Sequence, residues 1–117
     1  MLHTVVETAA YLRDAKSSGL SEAEREAIVT AVSADPEAGD EVAGSGGVRK
    51  RRVAGRGKGK SGGHRIMVAY AGPEAPVYIF ALLSKGERAN FTDRETGAMR
   101  DAVAAIRSSA RARSRTL

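Results

Sequence analysis

Residues 48–83 read VRKRRVAGRGKGKSGGHRIMVAYAGPEAPVYIFALL, and the fold turns on this stretch. Three runs within it, Val48 to Ala54, Ile66 to Ala71 and Val77 to Leu83, are apolar or β-branched enough to read as strands. A glycine-rich loop separates the first two, and the turn-forming Gly72 to Pro76 segment separates the last two. Strands that follow one another through loops favour an antiparallel meander. The glycines are concentrated before and within this region: nine of the thirteen fall between Gly39 and Gly63, so the irregular backbone lies around the first strand rather than along the whole chain.

Working outward, the N-terminal side holds a short β-branched run, Leu2 to Val6, which reads as another strand. Thr8 to Lys16 reads as a helix with Ala9, Ala10, Leu12 and Ala15 inward, ended by Ser17-Ser18-Gly19. Ser21 and Glu24 have capping-box spacing, in which hydroxyl and carboxylate each satisfy the other's free backbone N–H. The helix they open carries Ala27, Ile28, Ala31 and Val32 on one stripe, leaves Glu22, Arg25 and Glu26 outside, and stops before Pro36. Downstream, Thr92 and Glu95 repeat the capping box, and Met99, Ala102, Val103 and Ile106 mark a last amphipathic helix. Beyond Arg107 a basic tail, about residues 108–117, reads as frayed. The expected architecture is α+β: one domain over residues 1–117, a small antiparallel β-sheet with the N-terminal helices packed on one face, a C-terminal helix, and the other sheet face free to bind.

A chain of 117 residues suits one domain. With no Trp and two Phe, its core must be built from aliphatic side chains. The absence of Cys excludes disulfides and thiolate metal or redox sites, and fits a reducing compartment. No apolar run reaches the roughly 18 residues that span a bilayer, and the N-terminus lacks signal-peptide order, so the expectation is a cytoplasmic protein with no membrane partner.

Charge is more informative than its sum of +5. Residues 1–48 carry 3 basic and 9 acidic side chains, residues 49–65 carry 8 basic and none acidic, and residues 66–117 carry 8 basic and 5 acidic. A solvated surface normally interleaves carboxylates among its cations. An unopposed block of this density attracts a polyanion, most simply a nucleic acid.

Two chemistries compete for the block. Gly59-Lys60-Ser61 ends like a phosphate-binding P-loop, but Ala54 stands where that motif needs its first glycine. A strand, not a helix, follows, so no helix dipole would back the phosphate. Strand periodicity supports a different site. Lys50 and Arg52 point to one face, with Arg49, Arg51 and Val53 on the other; Arg65 shares a face with Met67 and Ala69, and Lys85 lies just past the third strand. If the strands pair in order, Lys50, Arg52, Arg65 and Lys85 converge, with Lys58 and Lys60 on the loop above. Cations gathered round one phosphate can stabilise a pentacovalent transition state, and crowding can lower a lysine's pKa towards general-base range. Taken one at a time, each reads first as a plain phosphate contact without chemistry. Arg49, Arg56 and His64 extend the basic surface as RNA contacts, His64 reading as a proton donor or a strand-end surface residue. The two histidines, His3 and His64, lie far apart in sequence, and no metal site or cofactor is indicated.

The segment Asp35 to Arg65, DPEAGDEVAGSGGVRKRRVAGRGKGKSGGHR, resembles the motif region of RelE/HigB-type toxins of bacterial type II toxin–antitoxin modules. The matching positions are Asp35-Pro36, Gly39-Asp40, Gly44, Gly46-Gly47, Arg49-Lys50, Arg52, Gly57 to Lys60, Gly62-Gly63 and Arg65, with Leu83-Ser84-Lys85-Gly86-Glu87 in place of a later Tyr-x-Lys-x-Glu pattern. The resemblance implies a ribosome-dependent mRNA endonuclease that works in the A site without metal, leaves a 2′,3′-cyclic phosphate, and is neutralised by a cognate antitoxin, often of helix-turn-helix type. By motif position it implies Lys50, Arg52, Lys58, Lys60, Arg65 and Lys85 as phosphate and transition-state contacts. Leu83 stands where relatives often carry Tyr, and Phe91-Thr92 supplies no phenol at the start of the last helix, so the resemblance leaves the general base open, with Lys58 or Lys60 as candidates. Two rivals remain: a ParE-like gyrase inhibitor on the same scaffold, and a non-catalytic RNA- or ribosome-binding protein.

Overall fold

The structure, a computed structural model, describes residues 3–53, 63–84 and 91–116. Strand β1 (Val5–Glu7) leads into helix α1 (Ala9–Ser17), whose N-cap Thr8 accepts a hydrogen bond from Tyr11 N at 3.2 Å and donates its hydroxyl proton to Ile79 O at 2.9 Å. One side chain thus caps the helix and ties it to the sheet. Helix α2 (Glu22–Ala34) opens on the expected capping box: Glu24 N donates to Ser21 Oγ at 3.1 Å and Ser21 N to Glu24 Oε1 at 2.7 Å. There follow β2 (Asp40–Glu41), β3 (Val48–Val53), β4 (His64–Ala69), β5 (Val77–Ser84) and α3 (Asp93–Thr116).

The five strands form one sheet in the order β1-β5-β4-β3-β2. The meander β3-β4-β5 is antiparallel as expected, and so is the β2–β3 pair; β1 pairs with β5 in parallel, Val5 opposite Val77. That parallel pair is where the sheet departs from an all-antiparallel one. The α1–α2 hairpin carries the chain over one face from the β1 edge to the β2 edge, and the meander returns to pair alongside β1.

Each sheet face has its own core. On one, Tyr11 and Ala15 of α1 and Ile28 and Val32 of α2 pack on Ile66, Val68, Val77, Ile79 and Leu82. Tyr11, fully buried, takes the place expected of Ala9, which is exposed; Ala27 and Ala31 are exposed as well, so α2 presents a narrower stripe than its alanines imply. A large ring three residues into the helix fills the gap to the sheet that a methyl group cannot. On the other face Val48, Met67, Ala69 and Leu83 pack with Val103 and Ala110 of α3, flanked by Met99, Ile106 and Phe91. The expectation of a free second face is corrected here: α3 covers part of it. The expectation of a frayed tail also gives way, because α3 is helical to Thr116 and buries Ala110.

A β-bulge makes the two cores compatible. Met67 pairs with Ala81 but Val68 with Ile79, so Phe80 is an extra residue in β5. Before it Val77 and Ile79 serve the first core; after it the parity reverses, and Leu82 serves the first core while Ala81 and Leu83 serve the second.

Candidate nucleic-acid interface

Strand β3 sorts its cations by face. Val48 packs under α3, so Lys50 and Arg52, two and four residues on, lie on the α3 side. In β4, Met67 and Ala69 belong to the same core and bring Arg65 with them. The register sets Arg52 directly opposite Arg65 and Lys50 opposite Met67. Lys50, Arg52 and Arg65 thus form one row running off the end of the second core, past the part that α3 covers. Arg52 is exposed and the other two are half-buried. Among the described residues neither Arg52 nor Arg65 sits in an ion pair. Guanidinium groups on facing strand positions, with Cβ atoms about 5 Å apart, repel one another in the protein alone and are relieved by an anion between them.

The remaining basic residues of β3 have structural partners on the opposite face. Arg49 lies 3.8 Å from Glu41 and donates to Gly39 O at 3.4 Å. Arg51 donates to Asp35 O at 2.7 Å, which satisfies a carbonyl at the C-terminal end of α2. His64 pairs with Val53 and so falls on that face too. Of the residues read from sequence as site candidates, Lys50, Arg52 and Arg65 come together, while Arg49 and His64 lie across the sheet from them. Arg56, Lys58, Lys60 and Lys85 lie outside the described residues.

Three features escaped the sequence reading. Phe91, just before α3, packs at the edge of the second core, and Lys50 Nζ lies 5.8 Å from its ring centroid. Beside this pair opens a cavity of about 360 Å³, lined by Asp40, Val42, Lys50, Phe91 and Thr96 among others. From its Val42–Ala43 wall the chain runs on into a glycine loop held by Arg100, which donates to Gly44 O at 2.8 Å. Gly47 in that loop, at φ +135°, would bring a Cβ within 2.8 Å of Tyr70 O, so only glycine fits where the loop crosses β4's end.

Perturbed acid–base groups sit away from the cation row. Burial, reinforced by the Glu7 carboxylate, pushes the Tyr11 hydroxyl up to about 12. Glu7 also accepts a hydrogen bond from Arg25 Nε at 3.2 Å and raises that guanidinium above its ordinary value. Among the described residues no three His, Asp or Glu side chains gather as metal ligands, and no helix is long and apolar enough to cross a membrane.

A family model described as the RelE toxin of the RelE/RelB toxin–antitoxin system matches residues 3–115. This chain belongs to the RelE toxin family. The fold agrees with that membership: a mutant of the E. coli toxin RelE in the free state superposes with a TM-score of 0.50 at 14% identity, covering 87% of this chain and 97% of that one. As a RelE family member the chain is the toxin of a toxin–antitoxin module, and its partner is an antitoxin. Lys50, Arg52 and Arg65 form a basic row on one sheet face of this RelE-family toxin.

Proposed function

We propose that this toxin is a ribosome-dependent mRNA endonuclease of a type II module, acting in the cytoplasm on messages in the ribosomal A site. The observation that carries the reading is the cross-strand pair Arg52–Arg65 with Lys50 beside it on one sheet face. Such a row holds the phosphate between two nucleotides, and the codon supplies the nucleophile. The ribose 2′-OH attacks the adjacent phosphorus and gives up its proton to a general base. The P–O5′ bond breaks, the 5′-oxygen takes up a proton, and a 2′,3′-cyclic phosphate remains. The charge that builds on the non-bridging oxygens is greatest in the pentacovalent transition state, where fixed guanidinium donors contribute most. We assign Arg65 and Arg52 to that charge and Lys50 to ground-state phosphate binding. From the family resemblance, Lys58, Lys60 and Lys85 join them, and Lys58 or Lys60 supplies the base. The antitoxin, of helix-turn-helix type in this reading, keeps the toxin from the ribosome.

The deciding experiment is translation in vitro with primer extension across the message. Cuts at codon positions are expected with wild type. Arg65→Ala should remove them while ribosome binding stays within about tenfold, since a transition-state contact affects rate more than binding. Blocked translation without cuts would instead mean a non-catalytic ribosome binder, and gyrase-dependent DNA breaks with intact translation would mean a gyrase inhibitor.

A further inference from the structure

The cavity beside Lys50 lies at the end of the cation row, with an aromatic wall, Lys50 as its cation and acceptors as its other polar side chains. Asp40 pairs with Lys50 across β2 and β3 and shares its face, whereas Glu41, one residue on, turns to the other face towards Arg49. Glu41 lines the cavity as well, but of the two carboxylates only Asp40 shares the sheet face of Lys50. The lining also holds the Thr96 hydroxyl, which already donates its proton to Asp93 O at 3.2 Å. Towards anything entering, Thr96 Oγ1 can only accept. Phe91 and Val42 supply the apolar surface, and the volume of about 360 Å³ falls within the range of small-molecule sites.

We propose that this cavity is a nucleobase pocket that receives the base attached to the phosphate held by Lys50 and Arg52, stacks it against Phe91, and selects bases bearing an exocyclic amino group over uracil. The inference rests on the endonuclease reading for its substrate and adds to it a specificity site. The cation row draws the sugar–phosphate backbone along β3, which puts the base at the mouth of the pocket. Stacking on an aromatic ring tolerates any base, so discrimination comes from the polar wall. Adenine, cytosine and guanine each offer an amino group to Asp40 or Thr96. Uracil offers one N–H between two carbonyls, and with Lys50 taken up by the phosphate a carbonyl turned towards Asp40 meets a carboxylate with nothing to donate.

The test is fluorescence anisotropy with the purified full-length toxin and end-labelled 2′-O-methyl triribonucleotides of A, C or U, which cannot be cleaved. Wild type should bind the A and C trimers about tenfold more tightly than the U trimer, in line with the discrimination of one good base-edge contact. Asp40→Asn, which adds a donor, should abolish that preference. Phe91→Leu should weaken all three by about tenfold through lost stacking while leaving the salt dependence unchanged, and Phe91→Tyr should restore binding. Lys50→Ala should lower the salt dependence by about one phosphate contact and leave the base preference intact. Thermal melts of Phe91→Leu and Phe91→Tyr separate loss of fold from loss of stacking.

Equal affinity for the three trimers, no saturable binding of any, or a Phe91→Leu loss that Phe91→Tyr does not restore would each overturn the pocket. The translation assay keeps this result separate from the nuclease reading. A toxin that cuts messages yet ignores base identity retains the activity and loses the pocket. One that discriminates trimers but never cuts keeps the pocket and loses the activity.

Discussion

Replacing Arg52 with Thr should make the toxin more stable and less active at once. Arg52 and Arg65 occupy facing positions on neighbouring strands and the same sheet face, and among the described residues neither is in an ion pair. Two unit charges about 5 Å apart in bulk water repel by roughly 0.8 kcal/mol. Splaying of the long side chains reduces this, and like-charge facing pairs fall within about 0.2–1 kcal/mol. A gain near 0.5 kcal/mol is therefore expected at low salt, or about 2 °C in Tm for a chain of this length. Thr, itself a good strand former, keeps the backbone preference intact. Urea denaturation at low salt and at about 1 M salt checks the origin of the gain, because a Debye length of roughly 3 Å removes most of the repulsion. The gain should shrink with salt. Over the same substitution, cleavage in the translation assay should fall by about a hundredfold, the scale of one lost transition-state donor. A loss of stability beyond about 1 kcal/mol would mean that Arg52 supports the fold. Unchanged cleavage would mean that the facing pair does not hold the phosphate. Either outcome refutes the reasoning.

Tyr11 is fully buried with its hydroxyl unpartnered, so Tyr11→Phe should stabilise the fold by about 1 kcal/mol, read by urea denaturation at pH 7. The hydroxyl holds its proton up to about 12 when folded, against an ordinary 10.0, so wild-type stability from this group is complete below pH 10 and is lost as pH rises towards 12; Tyr11→Phe should lose less over that window. Gly47→Ala should cost at least about 2 kcal/mol, because a Cβ there meets Tyr70 O at 2.8 Å and the backbone lies at φ +135°; a normal melt would show that the loop can move away. Gly97→Ala in α3 should raise stability by about 1 kcal/mol, since the nearest atom to a Cβ there is the far end of Arg100 at 3.7 Å; circular dichroism melts test it.

Local chemistry was legible in the chain alone. Capping boxes at Ser21–Glu24 and Thr92–Glu95 depend on residues three apart, and both helices begin there. The period of two put Lys50 with Arg52 on one face of β3 and Arg65 with Met67 on one face of β4, because side chains alternate whatever the partner strand; the register then set those two faces on the same side. The same rule set Arg49 and Arg51 on the opposite face, but not what they would meet there: a carboxylate in β2 and the carbonyl of Asp35, the C-cap of α2. Contacts between residues distant in sequence belonged to the tertiary structure. The parallel pairing of β1 with β5, the bulge at Phe80 that reverses the parity of β5, and the burial of Tyr11 all depend on filling two cores on one sheet at once. So does the extension of α3 over the second face, where Ala110 is buried within a stretch whose composition reads as a basic tail. Phe91 looked from sequence like a missing phenol; packing placed its ring beside Lys50 and turned a strand edge, a loop and a helix start into one pocket. Alternation and capping are set by neighbours a few bonds away, whereas a cavity needs walls from three elements, and only their packing brings those walls together.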